Sequence, residues 1–327
     1  MWISKTPFRV SLFGGGSDYP IHFKKHGGAC LNLAINKYCY ITYRTLTQSF
    51  GPNFRVRYSN SESSESIEGI SHPAVKALLT HYKIENPTEI NHSSDLPAKT
   101  GIGSSSSFVV GLTSILQSIK NEKLSKFELA KKAIHIEQHV IKESVGLQDS
   151  IISTYGGINL IEIKQDGAFK VNEVTASKDY LEFITSNLLL VKVGQQRVAS
   201  NIVPEQLKNM SEKHSDLNLL SEMARTYASK FNDESLDLND LGRALNDAWR
   251  IKVNQSNAIS NEEINNFYSI AMKNGALGGK LCGAGSGGFF LLVVPTNTQS
   301  AFRSKFPDSL IVNFKVDFEG NKIDQIF

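Results

Sequence analysis

The segment PAKTGIGSSSS, Pro97 to Ser107, sets two glycines and four successive serines between a strand-like stretch, TEINHSSD, and an apolar-periodic stretch from Ser104 to about Lys120. A chain that carries it is constrained to fold there as strand, loop and helix. Gly101 and Gly103 let backbone approach an anion closely. Ser104, Ser105 and Ser106 put hydroxyls and free N–H groups at the helix start, where the helix dipole adds positive partial charge, a ready site for a nucleotide's phosphates. One of those hydroxyls can also ligate Mg²⁺. The plainer alternative is a flexible loop with an ordinary serine cap. Two better-known phosphate loops are absent. There is no GxxxxGK[ST], and Gly14-Gly15-Gly16 runs on into Ser17-Asp18-Tyr19 rather than completing GxGxxG.

At 327 residues the chain exceeds the usual size of one hydrophobic core and predicts two domains. A net charge of +3 gives no basis for a nucleic-acid or membrane partner, yet allows an anionic small molecule. The first residues, MWISKTPFRV, lack the apolar core of a secretory signal. The longest apolar run, Phe289 to Val294, is far short of the ~18 residues that span a bilayer. Three cysteines, Cys30, Cys39 and Cys282, without metal-ligand spacing fit reduced thiols and a cytoplasmic location, with Cys282 read as packing rather than reactive.

Alternation and β-rich composition predict strands at 2–13, 29–45, RVRY, 88–95, 158–163 and 169–174, the last two as a hairpin around Gln165-Asp166-Gly167. Helical spacing predicts helices after His72-Pro73, from Ser104, and from Lys126 to Ser144. After Ser186 come the strand LLLVKV and helices near 196–210, 213–231, 238–255 and 261–273. A glycine-rich loop into an apolar strand, a short helix near 297–304 and a strand at 309–318 finish the chain. A boundary near 184–188 divides it into an α+β domain of residues 1–185 and a second of 186–327, with a cleft between them.

Two further segments stand out. In PFRVSLFGGGSDYP, Arg9 sits mid-strand among apolar residues, and a charge there needs a partner or a task unless the strand is an edge with the head in solvent. In KLCGAGSGGFF, four glycines within six residues point to backbone that approaches something closely, or to a glycine-rich hairpin.

Taken in order, these three segments resemble the signature motifs of the GHMP kinases. GIGSSSS follows that family's GLGSSAA, and GAGSGG its GAGGGG, differing at Ser286. The first motif reads GGGSD where galactokinases read GEHTD, so Gly15 and Gly16 replace an acidic and a histidine position. The GGGSD form is similar to the D-glycero-D-manno-heptose 7-phosphate kinases, as are IEQHVIKESVGLQDSIISTYGGIN, VGQQRVASNI, LGRALNDAWRIK and ALGGKLCGAGSGG.

The resemblance implies a ribosomal-protein-S5-like domain followed by a ferredoxin-like α/β plait. It implies ATP and Mg²⁺ as cofactors, and phosphorylation of a heptose 7-phosphate at its anomeric hydroxyl, for nucleotide-activated heptose and surface polysaccharide. Asp149 then takes the catalytic aspartate's position, accepting or orienting the hydroxyl proton, with Arg9 as its basic partner, stabilising the transferring phosphoryl. Asp149 could instead cap the helix before SIISTY. Gly101, Gly103, Ser104, Ser105 and Ser106 cradle the ATP phosphates. Glu137 with Ser105 holds the metal, and Glu143, six residues on, falls on another helical face. Asp18, Gly157, Arg197, Gly283 and Gly285 fall to the substrate, Arg197 as the cation for its remote phosphate. Arg250 and Lys252 are two apart on a helix, so at most one reaches the site. Trp249 reads as core. A free sugar of the galactose or fucose type, a non-sugar alcohol, a non-catalytic sugar and nucleotide sensor, and a nucleic-acid-binding module are the competing readings. The small charge and lack of a basic stripe weigh against the last.

Overall fold

The computed structural model describes residues 1–47, 51–194, 213–256 and 258–326. The first part of the chain runs β1 (Trp2–Phe13), α1 (Pro20–His26), β2 (Gly28–Thr45), β3 (Phe54–Arg57), β4 (Ser61–Ser64), α2 (Pro73–His81), β5 (Thr88–Ser94) and α3 (Ser104–Ile119). It continues through α4 (Lys126–His135), α5 (Gln148–Tyr155), β6 (Ile158–Ile163), β7 (Phe169–Glu173) and α6 (Lys178–Ser186). The second part runs β8 (Leu188–Val193), α7 (His214–Asn232), α8 (Leu238–Val253), α9 (Glu262–Lys273), β9 (Gly278–Leu281), β10 (Gly288–Val293), α10 (Gln299–Ser304), β11 (Ile311–Val312) and β12 (Lys322–Gln325).

Two sheets organise these elements. In the first, β1 lies between β12 and β2. The far edge of β2 pairs with β6 over Gly28–Leu33 and with β5 over Cys39–Thr45. The second sheet has the order β11-β8-β10-β9 and is antiparallel throughout. From Thr6 to Phe13 every residue of β1 is buried, so Arg9 and Ser11 have no route to solvent and must find partners inside. Arg9 is therefore not an edge-strand side chain.

Several expectations are corrected. The helix from Lys126 stops being α-helical at His135, continues as a π-helix over Ile136–Ile141 and ends at Lys142 with φ 64°. Such wide turns favour functional sites, and this one carries Glu137. The strand expected over 309–318 shrinks to Ile311–Val312, while Lys322–Gln325 crosses back to pair with β1, too short and polar to announce itself. Helices α1 and α6 were also missed, and α5 entered only through the alternative reading of Asp149 as a cap before SIISTY. The three are only 7, 8 and 9 residues long, about two turns each, too short for periodicity to show. The helix expected near 196–210 lies outside the described residues.

The second sheet is pressed onto the loop of Thr100 and Gly101, backbone against backbone. Phe289 N–H donates to Thr100 O at 2.9 Å. A Cβ on Gly101 would stand 2.5 Å from Cys282 O, and one on Gly283 2.4 Å from Gly101 Cα. Gly283 also has φ 69°. Gly283→Ala should therefore destabilise the fold by about 1–3 kcal/mol through overpacking and left-handed strain, read as a fall in unfolding temperature with weakened nucleotide binding.

Candidate active site

Gly103 ends the loop with φ 74° and N-caps α3, so the free N–H groups of the first turn open beside it. Ser104, Ser105 and Ser106 occupy that turn. A Cβ at Gly103 would lie 3.0 Å from Arg9 Cγ and 3.4 Å from Asp149 Oδ2, which places the loop directly against those two side chains.

Arg9 Nε donates to Asp149 Oδ1 and Nη2 to Oδ2, both at 2.7 Å, and Nη1 donates to Gly101 O at 2.5 Å. The guanidinium fork is thereby saturated on one side by a carboxylate and on another by the phosphate loop. Burial disfavours its charge, and pairing with Asp149 more than restores it, so its pKa is raised. Asp149 stands in the first turn of α5, whose N-cap is Leu147 without a side-chain cap bond. Its carboxylate thus goes to Arg9 rather than capping the helix. The Asp149 side chain keeps 24% exposure against 6% for Arg9, so the carboxylate is the member of the pair that a ligand can reach.

Asp18 is fully buried and accepts from Gly16 N–H at 3.1 Å, Gln148 N–H at 3.2 Å and Gln148 Nε2 at 3.1 Å. Burial, with Asp149 adding to it, pushes its carboxyl up to about 6. Gln148 also accepts from Ser11 Oγ at 2.8 Å. Asp18, Ser11 and Gln148 therefore brace the residue that precedes Asp149. Gly146 is required there because a Cβ would fall 1.8 Å from Asp18 Oδ2.

Glu137 is fully buried, with Ser106 Oγ donating to Oε1 and Ser150 Oγ to Oε2, each at 2.6 Å. The hydroxyl beside Glu137 is therefore that of Ser106. Ser105 Oγ stands 3.4 Å from Glu143 Oε2 instead. Glu143 is not on a helical face at all. The chain turns after Lys142, and Glu143 N–H donates to Glu137 O at 2.9 Å. Burial drives the Glu137 carboxyl up to about 8, the two serine bonds pull it down, and Asp149 and Glu143 push it further up.

The remaining expectations fare differently. Gly157 follows the far end of α5, about 12 Å along the helix from Asp149 at 1.5 Å per residue. Its N–H donates to Asp317 O at 2.5 Å, and its carbonyl accepts from Ala34 N–H at 2.9 Å. Gly283 packs on Gly101, and a Cβ on Gly285 would meet Ile259 Cα at 2.8 Å, so both shape the loop's support. Arg197 lies outside the described residues. Arg250 is exposed and 3.8 Å from Asp247. Lys252 turns inward, donating to Leu281 O at 2.9 Å and to Gly283 O, and burial lowers it to about 7. Trp249 is core, edge-on to Phe290 at 5.4 Å. Sequence reasoning missed Gln148, Ser150 and Lys280. The signal for Lys280 was the one used for Arg9, a charge in an apolar strand. Lys280 is buried and donates to Ser11 O at 3.0 Å and Leu12 O at 2.9 Å.

Comparison with known proteins decides the family. Residues 69–157 match the GHMP kinases N terminal domain and residues 228–311 the GHMP kinases C terminal domain. The chain belongs to the GHMP kinases. It is a small-molecule kinase of the two-domain α+β GHMP fold, with ATP as phosphoryl donor. This kinase is 27% identical to a D-glycero-alpha-D-manno-heptose 7-phosphate kinase from Campylobacter jejuni, across 98% of this chain and 97% of that one. It is 27% identical to a galactokinase from Pyrococcus furiosus, across 89% and 88%. A crystal structure of a D-glycero-D-manno-heptose 1-phosphate kinase from Bacteroides thetaiotaomicron superposes with TM-score 0.78 at 21% identity, covering 100% of both chains. No helix among the kinase's described residues is long and apolar enough to cross a membrane.

The Glu137 carboxyl carries a stability consequence. Its folded pKa lies above the ordinary value of 4.5, so its contribution is fully present below about pH 4.5 and is lost as pH rises through about 8. Glu137→Gln, which cannot ionise, should unfold at a higher temperature than the parent above about pH 8, the gap closing toward about pH 5. A scan of unfolding temperature against pH for both proteins measures it.

Proposed function

We propose that this kinase transfers the γ-phosphoryl of ATP to the anomeric hydroxyl of D-glycero-D-manno-heptose 7-phosphate, giving the 1,7-bisphosphate, in the cytoplasm. The observation that carries the chemical part is the two-pronged Arg9–Asp149 pair held against Gly101 and Gly103. It sets a carboxylate of fixed orientation beside the helix N-terminus that would hold the phosphates. In this reading the acceptor hydroxyl sits between Asp149 and the γ-phosphorus. Its proton passes to the Asp149 carboxylate, the new O–P bond forms, and the bond to the ADP oxygen breaks. Arg9 keeps Asp149 aimed and offsets charge on the phosphoryl oxygens. The heptose assignment is supported by the GGGSD motif, which removes the acidic and histidine side chains at Gly15 and Gly16, and by the likeness to the Campylobacter enzyme. Asp18, whose oxygens are engaged by Gln148 and Gly16, serves the acceptor indirectly, by setting the residue before Asp149. Arg197 remains our candidate for the remote phosphate, and residues 1–185 and 186–327 for the two domains that close on the substrates.

The residues around Glu137 fit Mg²⁺. The donor set is all oxygen, as a hard cation prefers, and the buried Glu137 carboxyl, whose side-chain partners among the described residues are neutral hydroxyls, would gain from a cation the charge that burial denies it. Glu137 and Ser106 would hold the ion, with Ser105 and Glu143 next to them. Bound there, Mg²⁺ supplies charge neutralisation at the β- and γ-phosphates.

ADP release in the presence of Mg·ATP should be fastest with D-glycero-D-manno-heptose 7-phosphate among mannose 6-phosphate, galactose, fucose, mevalonate and homoserine. Preference for a free sugar or for mevalonate would sink the heptose assignment while leaving the phosphoryl-transfer centre standing. Asp149→Ala should lower kcat on the order of 10²- to 10⁴-fold, the range of a lost proton acceptor. Nucleotide affinity, read by fluorescent ADP titration, should stay within about threefold of the parent. Full turnover without Asp149 would overturn its role.

A further inference from the structure

Two buried lysines of the second part of the chain, Lys252 and Lys280, have neutral backbone carbonyls as their hydrogen-bond partners among the described residues. Lys280, on β9, sends its ammonium across to β1, where it donates to the carbonyls of Ser11 and Leu12 at 3.0 and 2.9 Å. Lys252, near the end of α8, donates to the carbonyls of Leu281 and Gly283. A buried ammonium costs free energy even when hydrogen-bonded. A methionine of similar length would fill the same volume without that cost, so these charges call for a task.

The placement supplies one. Ser11 and Leu12 directly follow Arg9 and Val10, where the β1–β2 pairing is interrupted between Ser11 and Phe13. A strand freed from part of its ladder needs another anchor to keep its side chains aimed. Ser11 also reaches Gln148, the neighbour of Asp149, at 2.8 Å. We propose that Lys280 is a positioning residue for phosphoryl transfer: its ammonium ties the irregular end of β1 to the second sheet and so holds Arg9 and Gln148, and through them Asp149, in working alignment. The inference rests on the reading of Arg9 and Asp149 as the reaction centre.

The charge of Lys280 is responsive. Burial pulls its pKa down to about 8 from 10.5. The charged and titratable groups that act on it are Cys282 beyond its own strand, Arg9 on β1 and Cys30 on β2, and its own charge in turn repels that of Lys252 on α8. Above about pH 8 the ammonium loses its charge and one of its three protons, and the carbonyl grip weakens.

The test compares the parent, Lys280→Met, Arg9→Met and the double variant, assayed with Mg·ATP and D-glycero-D-manno-heptose 7-phosphate. Lys280→Met should lower kcat about 10- to 100-fold, the scale of a small misalignment at the reacting atoms. KM for ATP and fluorescent-ADP affinity should change less than about threefold. In the Arg9→Met background the same substitution should cost less than about threefold more, because both act on one alignment. Equal losses in both backgrounds, or a Lys280→Met enzyme with parental kcat beside a slow Arg9→Met, overturn the inference alone. An Arg9→Met enzyme with parental kcat overturns the reading of the centre as well. Should Lys280→Met fail to fold, the parent's kcat against pH decides. It should fall above about pH 8, and a level profile to about pH 10 overturns the proposal.

Discussion

The site hangs on one interaction, the guanidinium of Arg9 lying flat against the Asp149 carboxylate with both contacts at 2.7 Å. Arg9 belongs to the interior strand of an eight-stranded sheet, and Asp149 to the first turn of a two-turn helix. The third arm of the guanidinium ends on Gly101. One side chain therefore fixes three things at once: β1, the first turn of α5 and the loop at Gly101. A buried pair of this kind adds little net stability, because desolvation of both ions opposes their attraction. What it supplies is orientation. The planar fork admits one arrangement of the carboxylate, and phosphoryl transfer depends chiefly on positioning.

The surrounding glycines follow from that requirement. Gly103 must lack a side chain because Arg9 and Asp149 occupy the space, Gly146 because Asp18 does, and Gly283 because Gly101 does. Each removes a Cβ where two functional segments meet. The glycine-rich third segment, which in sequence invites a direct role at the substrate, packs closely in the structure, bringing the second sheet's backbone up to the loop at Gly101. The division of labour is clear at Thr100, whose carbonyl accepts from Phe289 in the second sheet while the loop it opens faces Arg9.

How much of this was legible in the sequence depended on the range of the signal. The strand, loop and helix around Gly101–Ser106 could be read because the signal is local and composed of residues with few other uses. Long strands such as Gly28–Thr45 and helices such as Leu238–Val253 could be read from periodicity. The expected ends were wrong where tertiary context governs: the π-turn at Ile136–Ile141, and the short β12, whose pairing partner lies more than 300 residues away. The choice of Ser106 over Ser105 as the neighbour of Glu137 was also illegible. Consecutive helical residues point about 100° apart, and only the position of the π-turn decides which one meets Glu137.

Lys280 shows the deeper limit. Its charge among apolar strand residues is a signal the sequence carries, as for Arg9, but only the fold reveals that its ammonium is buried against the carbonyls of Ser11 and Leu12. Arg9 and Lys280 are the same kind of anomaly, a cation where the pattern asks for an apolar residue. They differ in what they meet. Arg9 meets a carboxylate, which compensates its charge. Lys280 meets backbone dipoles, which compensate it only in part, and its pKa falls to about 8 accordingly. A charge kept at that disadvantage in the seam between two sheets, one bond away from the strand that carries Arg9, is best accounted for by the geometry it enforces. The same reasoning extends to Lys252, whose hold on Gly283 O keeps the third glycine segment closed on Gly101. Lys280 thus ties the second sheet to β1, while Lys252 ties α8 to the Leu281–Gly283 segment that packs on Gly101.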